Sequence, residues 1–456
     1  MNRISNIIAC GRAELPREFL ACWASVFFSA CVLTLLLSIA ATQAFLALAS
    51  VLYFAHLLRR KPEIGFPPVK LPLAIFCLWT VIATICAATP AAGGFEIRKL
   101  SLFLFLPLTV NLIVSAKHLR FLLKGVFVES AVAGILAADQ FVKRYLTVRL
   151  QFPRRIYAHM TVLRIHGFMG HWMNFGGQQM LVFAMLLSFL LLSKQWTPGP
   201  VPTRGPTGSQ NKMEVAQESI AARSAALPPR RWPMLFWWTL MGIIVVSIVL
   251  NLTRGIWLGC FVAAIYLIAR RRARWLLALP VLLAVLMLAG PRLMRLRLQS
   301  LLHPSRDVSV AIRFQMWRVG WRMIKKHPLA GVGPNNIYEV YDLYLPPCMV
   351  PIVGYHEHLH NDYIQLAAAR GLPCLAAWLW FMVALGCGCL RVARRRTPLS
   401  WVAHGALAGW LGLLVEGCFE FNFGTSPVLM VFLFVVAAPF AVTREPSFNP
   451  AFPSRL

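Results

Sequence analysis

Three histidines, two carboxylates and one amide crowd into His356-Glu357-His358-Leu359-His360-Asn361-Asp362, just ahead of a long apolar run. Histidine titrates nearest neutrality of all side chains, so such a cluster suits proton transfer to or from a hydroxyl. The same letters satisfy H-E-x-x-H, in which His356 and His360 would share a helical face and bind zinc, with Glu357 as base. Against the zinc reading, Pro346, Pro347, Pro351 and Gly354 make the preceding segment a poor helix. Asn361 and Asp362 follow at once, and no third ligand presents itself. The expectation is therefore proton transfer with no metal and no cofactor.

Anion pairing is the second chemistry on offer. Arg254 stands in Asn251-Leu252-Thr253-Arg254-Gly255, a short turn between two apolar runs. Arg164-Ile165-His166-Gly167, with Asn174, closes a basic loop before another such run. The segment 291–362 carries Arg292, Arg295, Arg297, Arg306, Arg313, Arg318, Arg322, Lys325 and Lys326. The bland reading is snorkelling side chains on phospholipid head groups; the sharper one is a phosphate-bearing substrate. Gly331-Val332-Gly333-Pro334-Asn335-Asn336 reads as a turn, and no strand precedes it as a nucleotide fold would need. Glu416 lies inside an apolar run, where an ionisable group is a site candidate by default. Glu420 and Glu96 lie nearer the ends of their runs and carry a weaker signal.

The elements that must hold these residues are membrane helices. The chain has 456 residues, 58% hydrophobic and 13% charged, with a net charge of +29, and its mean hydropathy is +0.65. A soluble core cannot absorb that much apolar surface, so the solvent is lipid. Runs long enough for spanning helices fall at 20–38, 41–58, 71–89, 98–115, 120–138, 177–193, 233–250, 255–269, 275–290, 363–390, 402–419 and 425–442. The expected fold is all-α and polytopic, with about twelve such helices. The first run lacks a cleavage site and reads as a retained helix.

With the amino terminus inside, Arg59-Arg60-Lys61, Arg270-Arg271-Arg272 and Arg394-Arg395-Arg396 fall on the cytoplasmic side. The stretch 194–232 becomes a cytoplasmic linker, and 140–175 and 291–362 become external loops. Three parts follow: 1–290 with nine spans, the loop 291–362 bearing the chemistry, and 363–456 with three spans and a tail. Within the loop, 309–326 shows an apolar stripe of Val310, Phe314, Trp317, Trp321 and Ile324 flanked by cations, as in a helix lying in the membrane interface. The charge alone would also suit nucleic acid, but an external membrane face is a poor place to meet it, so no such partner is expected.

At this point the residues resemble a family, the O-antigen ligase and polymerase superfamily of bacterial inner-membrane glycosyltransferases. The ligase signature is His, then Asn, Ser or Gln, nine residues, Gly, two residues, and Gly, Thr or Tyr. Here His360-Asn361 is followed by nine residues to Gly371, then Leu372-Pro373 and Cys374, which departs at the last position. Arg313, Trp317, Pro328, Gly331-Val332-Gly333-Pro334 and Asn336 are similar to the stretch before that signature. Thr253-Arg254-Gly255 and Arg164 with Gly167 and Asn174 resemble the family's two other arginine motifs.

The resemblance implies a GT-C-like membrane fold with a large periplasmic loop containing helices. It also implies metal-independent, inverting transfer of a glycan from undecaprenyl pyrophosphate to a sugar hydroxyl of lipid A–core at the periplasmic face. His360 is the expected base, with His358 as understudy and Asn361 orienting. Arg254 is expected on the pyrophosphate first, with Arg164 and Arg313 next and Arg318 and Arg322 as further substrate-binding cations. Within the superfamily the rival is an O-antigen polymerase. A protein-directed oligosaccharyltransferase ranks behind because little sequence follows the last span. From another class, a lipid-linked glycan transporter would place its charges near mid-membrane between repeats, and no repeat is visible.

Overall fold

The computed structural model describes residues 19–193, 234–289, 291–302, 308–347, 349–350, 357–395 and 397–442. The linker 194–232, and Tyr355 and His356 of the histidine cluster, lie outside the described residues. Among those described, every regular element is helical.

Helices α1 (Phe19–Val32) and α2 (Ile39–Arg60) form a hairpin whose turn is capped by Ser38, which accepts from Ala41 N at 3.3 Å. Arg59 and Arg60 end α2, where cations complement the helix dipole. Next come α3 (Lys70–Ile85), α4 (Pro90–Lys99), a 3₁₀ turn over Leu100–Leu104, and α5 (Phe105–Leu112). The run expected as one span over 98–115 is thus broken. Pro107 has no N–H for the Phe103 carbonyl, and the chain tightens into the 3₁₀ turn before it.

Helix α6 (Ala116–Gln151) has 36 residues, far beyond the expected 120–138. At about 1.5 Å per residue it exceeds the roughly 30 Å of a hydrocarbon core, so its end stands clear of any membrane. There Lys143 pairs with Asp139 at 2.7 Å across one turn. The basic loop expected over 140–175 is therefore helical for its first third, and the short α7 (Ile156–Val162) follows.

Helices α8 (Trp172–Leu192), α9 (Met234–Leu250), α10 (Arg254–Arg272) and α11 (Ala278–Ala289) come next, then α12 (Arg292–Leu302) and α13 (Val308–Lys326). The short α14 (Ile337–Val340), α15 (Asp362–Arg370), α16 (Leu372–Arg394), α17 (Ser400–Glu416) and α18 (Ser426–Val442) complete the described chain. Four helices, α2, α6, α8 and α16, are long and apolar enough to cross a membrane, and α1, α3, α9 and α18 are shorter apolar helices. The interior is built from α8, α17 and α18, with Phe432, Phe434 and Met180 fully buried. Gly259 of α10 and Gly412 of α17 let two backbones meet, since a Cβ at Gly259 would stand 2.9 Å from Gly412 O.

Two expectations for the 291–390 region change. The run expected over 363–390 is two helices, broken at Gly371 with φ 84°. The chain after α13 wedges into that break. Val332 N donates to Ala368 O at 2.9 Å, Gly333 N to Ala369 O at 3.0 Å, and Leu372 N to Pro328 O at 2.7 Å. Any side chain at Gly331 would meet the Ala369–Arg370 backbone, so the glycine turn is a packing wedge rather than a phosphate cradle. Helix α13 forms as expected, but its buried face is Met316, Val319, Met323 and Ile324, packed on Leu359 and Ala367 to Ala369. Phe314 and Trp321 of the expected stripe stay outside, 54% and 56% exposed.

Candidate active site

His360 sits one residue outside α15. Asn361 caps that helix, its Oδ1 accepting from Ile364 N at 2.9 Å, while its Nδ2 donates to Cys418 O at 2.8 Å. Asp362 N donates to Gly417 O at 2.7 Å. Both bonds tie the start of α15 to the loop that follows α17. To make this join, His360 adopts φ 48°, the left-handed region that a non-glycine side chain enters at a cost of about 1–3 kcal/mol.

The loop after α17 supplies what the histidine needs. Glu420 is 1% exposed, and His360 Nδ1–H donates to its Oε2 at 2.8 Å. A carboxylate only accepts, so the proton is fixed on Nδ1 and the lone pair on Nε2. Glu420 Oε1 accepts from Arg313 Nη2, and Arg313 also donates to Phe419 O at 3.1 Å and Ser309 Oγ at 2.9 Å. Burial would raise the Glu420 pKa. The Arg313 charge and the His360 hydrogen bond outweigh it and hold the carboxyl at about 2. Glu420 is therefore ionised near neutral pH, held between two partners.

Around this pair stand cations from four elements. Arg164 follows α7 and is placed by Gln140 of α6, whose Oε1 accepts from His166 N at 3.1 Å and Gly167 N at 3.0 Å. Gly167 has φ 58°, and a Cβ there would strike the Phe175 ring. The Arg164 guanidinium lies 4.0 Å from the centre of the Trp172 ring, and Nε donates to Thr161 O at 2.7 Å. Burial, then Arg297, lowers its pKa to about 9, with Glu420 pulling the other way and Arg313 and Arg254 adding to the fall. It remains cationic near neutrality. Arg297 of α12 donates to Leu252 O at 3.0 Å, beside Thr253, the N-cap of α10. Arg254 opens α10, whose next residue, Gly255, faces the Glu420, Glu416 and Phe419 side chains. Four arginines thus share one neighbourhood with Glu420, which has two further buried carboxyl groups, Glu416 and Asp362, beside it.

His171, the N-cap of α8, belongs to the same neighbourhood. Its pKa is lowered by burial, against the opposing pull of Glu420, with His360 and Arg164 contributing. Two expected cations are elsewhere. Arg318 and Arg322 fall about 140° and 180° round α13 from Arg313. Both are exposed, and Arg322 donates to Tyr344 O at 3.2 Å. His358 lies against Phe421, ring centres 5.1 Å apart, with its buried Nδ1 unpartnered. Burial, then Lys99, lowers its pKa to about 4. Glu416 is fully buried and accepts from Asn422 Nδ2 at 2.6 Å.

Sequence reasoning singled out His360, Asn361, Arg254, Arg164 and Arg313, and these meet. It named Arg297 only among the loop cations, passed over His171 and gave Glu420 little weight. The available signal for Glu420 was scarcity: 16 acidic residues against 45 basic ones leaves few carboxylates to spare near a helix end.

Fold and site together define a helical membrane protein with a carboxylate-anchored histidine beside clustered arginines. Residues 239–379, from α9 into α16, match the family described as O-antigen ligase. That segment, 141 of the 456 residues, is similar to the O-antigen ligase family, whose description implies glycosyltransferase-like enzymes. The match includes Arg254, Arg297, Arg313 and His360 but stops short of Glu420, and Arg164 precedes it. No curated protein matches the sequence.

Proposed function

We propose that this protein is an O-antigen ligase of the bacterial inner membrane. It transfers a glycan from undecaprenyl pyrophosphate to a sugar hydroxyl of lipid A–core, with the site on the periplasmic face and about twelve helices holding it there. The observation that carries this reading is the His360–Glu420–Arg313 relay set among Arg164, Arg254 and Arg297.

In this reading His360 Nε2 takes the proton of the acceptor hydroxyl as that oxygen bonds to the anomeric carbon. The bond from that carbon to the phosphate oxygen breaks, and its electron pair leaves on undecaprenyl pyrophosphate. Glu420 fixes the tautomer and stabilises the imidazolium that forms. The arginines pair the pyrophosphate oxygens as negative charge grows on them. A single displacement of this kind inverts the anomeric centre. Asn361 acts by holding α15, and so His360, against the loop after α17.

The test is deletion of the gene in its host, with lipopolysaccharide examined beside complementation by wild type and His360→Asn. Lipid A–core without its polymer, restored by wild type alone, supports ligation. A band bearing a single repeat would move the assignment to an O-antigen polymerase, and unchanged lipopolysaccharide would overturn both.

A further inference from the structure

Helix α13 has an outward face that the chemistry above leaves unused. At about 100° per residue, Phe314, Arg318, Trp321, Arg322 and Lys325 fall within an arc of about 100°. The buried Met316, Val319 and Met323 lie roughly opposite. All five outward residues are exposed. Lys325 Nζ stands 5.7 Å from the centre of the Trp321 ring, Lys326 Nζ stands 5.5 Å from that of Tyr344, and Arg322 donates to Tyr344 O. Among the described residues, no carboxylate forms an ion pair with Arg318, Arg322, Lys325 or Lys326. Glu339 and Asp342, on the turns that follow, are exposed to solvent.

Contacts with α3 set the depth of this face. Trp79 lies six residues before the end of that apolar helix at Ile85, about 9 Å along its axis. Its Nε1 donates to Leu329 O at 3.0 Å, and Leu329 is 67% exposed. Leu78 and Ile85 of α3 are exposed as well. Exposed apolar side chains gathered at the end of an apolar helix mark a surface wetted by lipid chains. Lys325 and Lys326 end α13 just ahead of Leu329. A helix carrying these charges cannot follow Leu329 into hydrocarbon, so α13 lies where the lipid meets water. Interleaved aromatic and cationic side chains suit that level.

We infer that the outward face of α13 is a docking surface for anionic phospholipid headgroups. Charge selects the lipid. Four cations without a carboxylate on them gain from a headgroup of net negative charge and gain little from a zwitterionic one. Phe314 and Trp321 enter between the headgroups as anchors. The consequence reaches the candidate active site, because Arg313 belongs to the same helix and holds Glu420. Lipid on one side of α13 steadies what its other side presents to that carboxylate. The inference needs the membrane, and does not rest on the ligase reading.

The experiment uses the full-length protein in nanodiscs of phosphatidylcholine, alone or mixed with phosphatidylglycerol. A trace of either lipid carries a photoreactive headgroup. Phosphatidylglycerol is expected to label peptides between Phe314 and Lys326, and phosphatidylcholine to label them about fivefold less or weaker still. Each cation near an anionic surface is worth about fivefold in affinity, so a variant combining Arg318→Gln, Arg322→Gln and Lys325→Gln should lose label there by about tenfold or more. Its labelling elsewhere should persist. Equal labelling by the two lipids, no label on α13, or a label that the variant retains overturns the proposal. Hydrogen exchange on the wild type needs no variant: α13 amides should exchange several-fold more slowly in the phosphatidylglycerol discs, and identical exchange in both overturns the proposal. Displacement of the label from α13 by added lipid A–core, with phosphatidylglycerol still in excess, would give this face to the glycolipid instead and overturns it too.

Discussion

The two carboxylate-centred clusters, at Glu420 and at Glu96, are built alike and charged differently. Each centres on one buried carboxylate, with a guanidinium (Arg313 or Arg370) on one oxygen and a second nitrogen donor (His360 or Lys99) on the other. Around Glu420 three further arginines gather, and the surplus is positive. Around Glu96 the two cations are matched by Glu96 itself and Glu357, among amides and aromatic rings. The lesson is that a buried carboxylate here is a mounting point, and its neighbours decide the net charge of what it holds.

The sharpest way to break that contrast is at the histidine that only one cluster has on its carboxylate. His360→Asn should cut transfer by up to about 10⁴-fold, the loss of a general base, while the left-handed backbone stays acceptable to asparagine. A purified variant that folds and still transfers would remove His360 from the chemistry. Next is the charge surplus: Arg254→Lys should be nearly as damaging as Arg254→Ala, each about 10²–10³-fold in kcat, because lysine cannot make the paired contact. Full activity in the lysine variant would reduce Arg254 to a point charge.

Glu420→Gln comes third, at about 10²-fold, since shape survives but the fixed tautomer and the Arg313 partner do not. The matching Glu96→Gln should leave kcat within about threefold. Equal kcat losses at both carboxylates would erase the distinction between the clusters.

The smallest effect concerns His358, read through stability rather than rate. Its pKa stands at about 4 in the folded protein against an ordinary 6.5. Between those values the unfolded chain binds a proton that the folded one refuses, so stability falls as pH drops below 6.5. His358→Gln should flatten that slope, measured as the thermal midpoint between pH 7 and pH 5. An unchanged slope would show that His358 is less enclosed than its surroundings imply.

What could be read from the sequence was the part written in short motifs. His360-Asn361, Thr253-Arg254-Gly255 and Arg164 with Gly167 are local, and their residue types name their chemistry. Glu420 is not local: it reaches His360 across 60 residues, from beyond the end of an apolar helix. Arg318 and Arg322 misled because closeness in sequence to Arg313 ignores rotation about the helix axis. The runs 98–115 and 363–390 read as single helices because hydropathy does not register a 3₁₀ turn or a wedge. Both breaks carry the Glu96 cluster, so the missed irregularities and the missed cluster share one cause.

The break at Gly371 has a mechanical consequence. Helix α15 is pinned at its start to the loop after α17 and at its end to the wedge of Pro328 to Gly333, and α16 leaves the break packed on α3 and α17. A long apolar helix answers a thinner or thicker bilayer by tilting. An unbroken rod from 362 to 394 would carry such a tilt straight to His360, whereas the bend at Gly371 gives α15 a direction of its own. The position of His360 is thus set by the loop after α17 and the Pro328–Gly333 wedge rather than by the direction of α16.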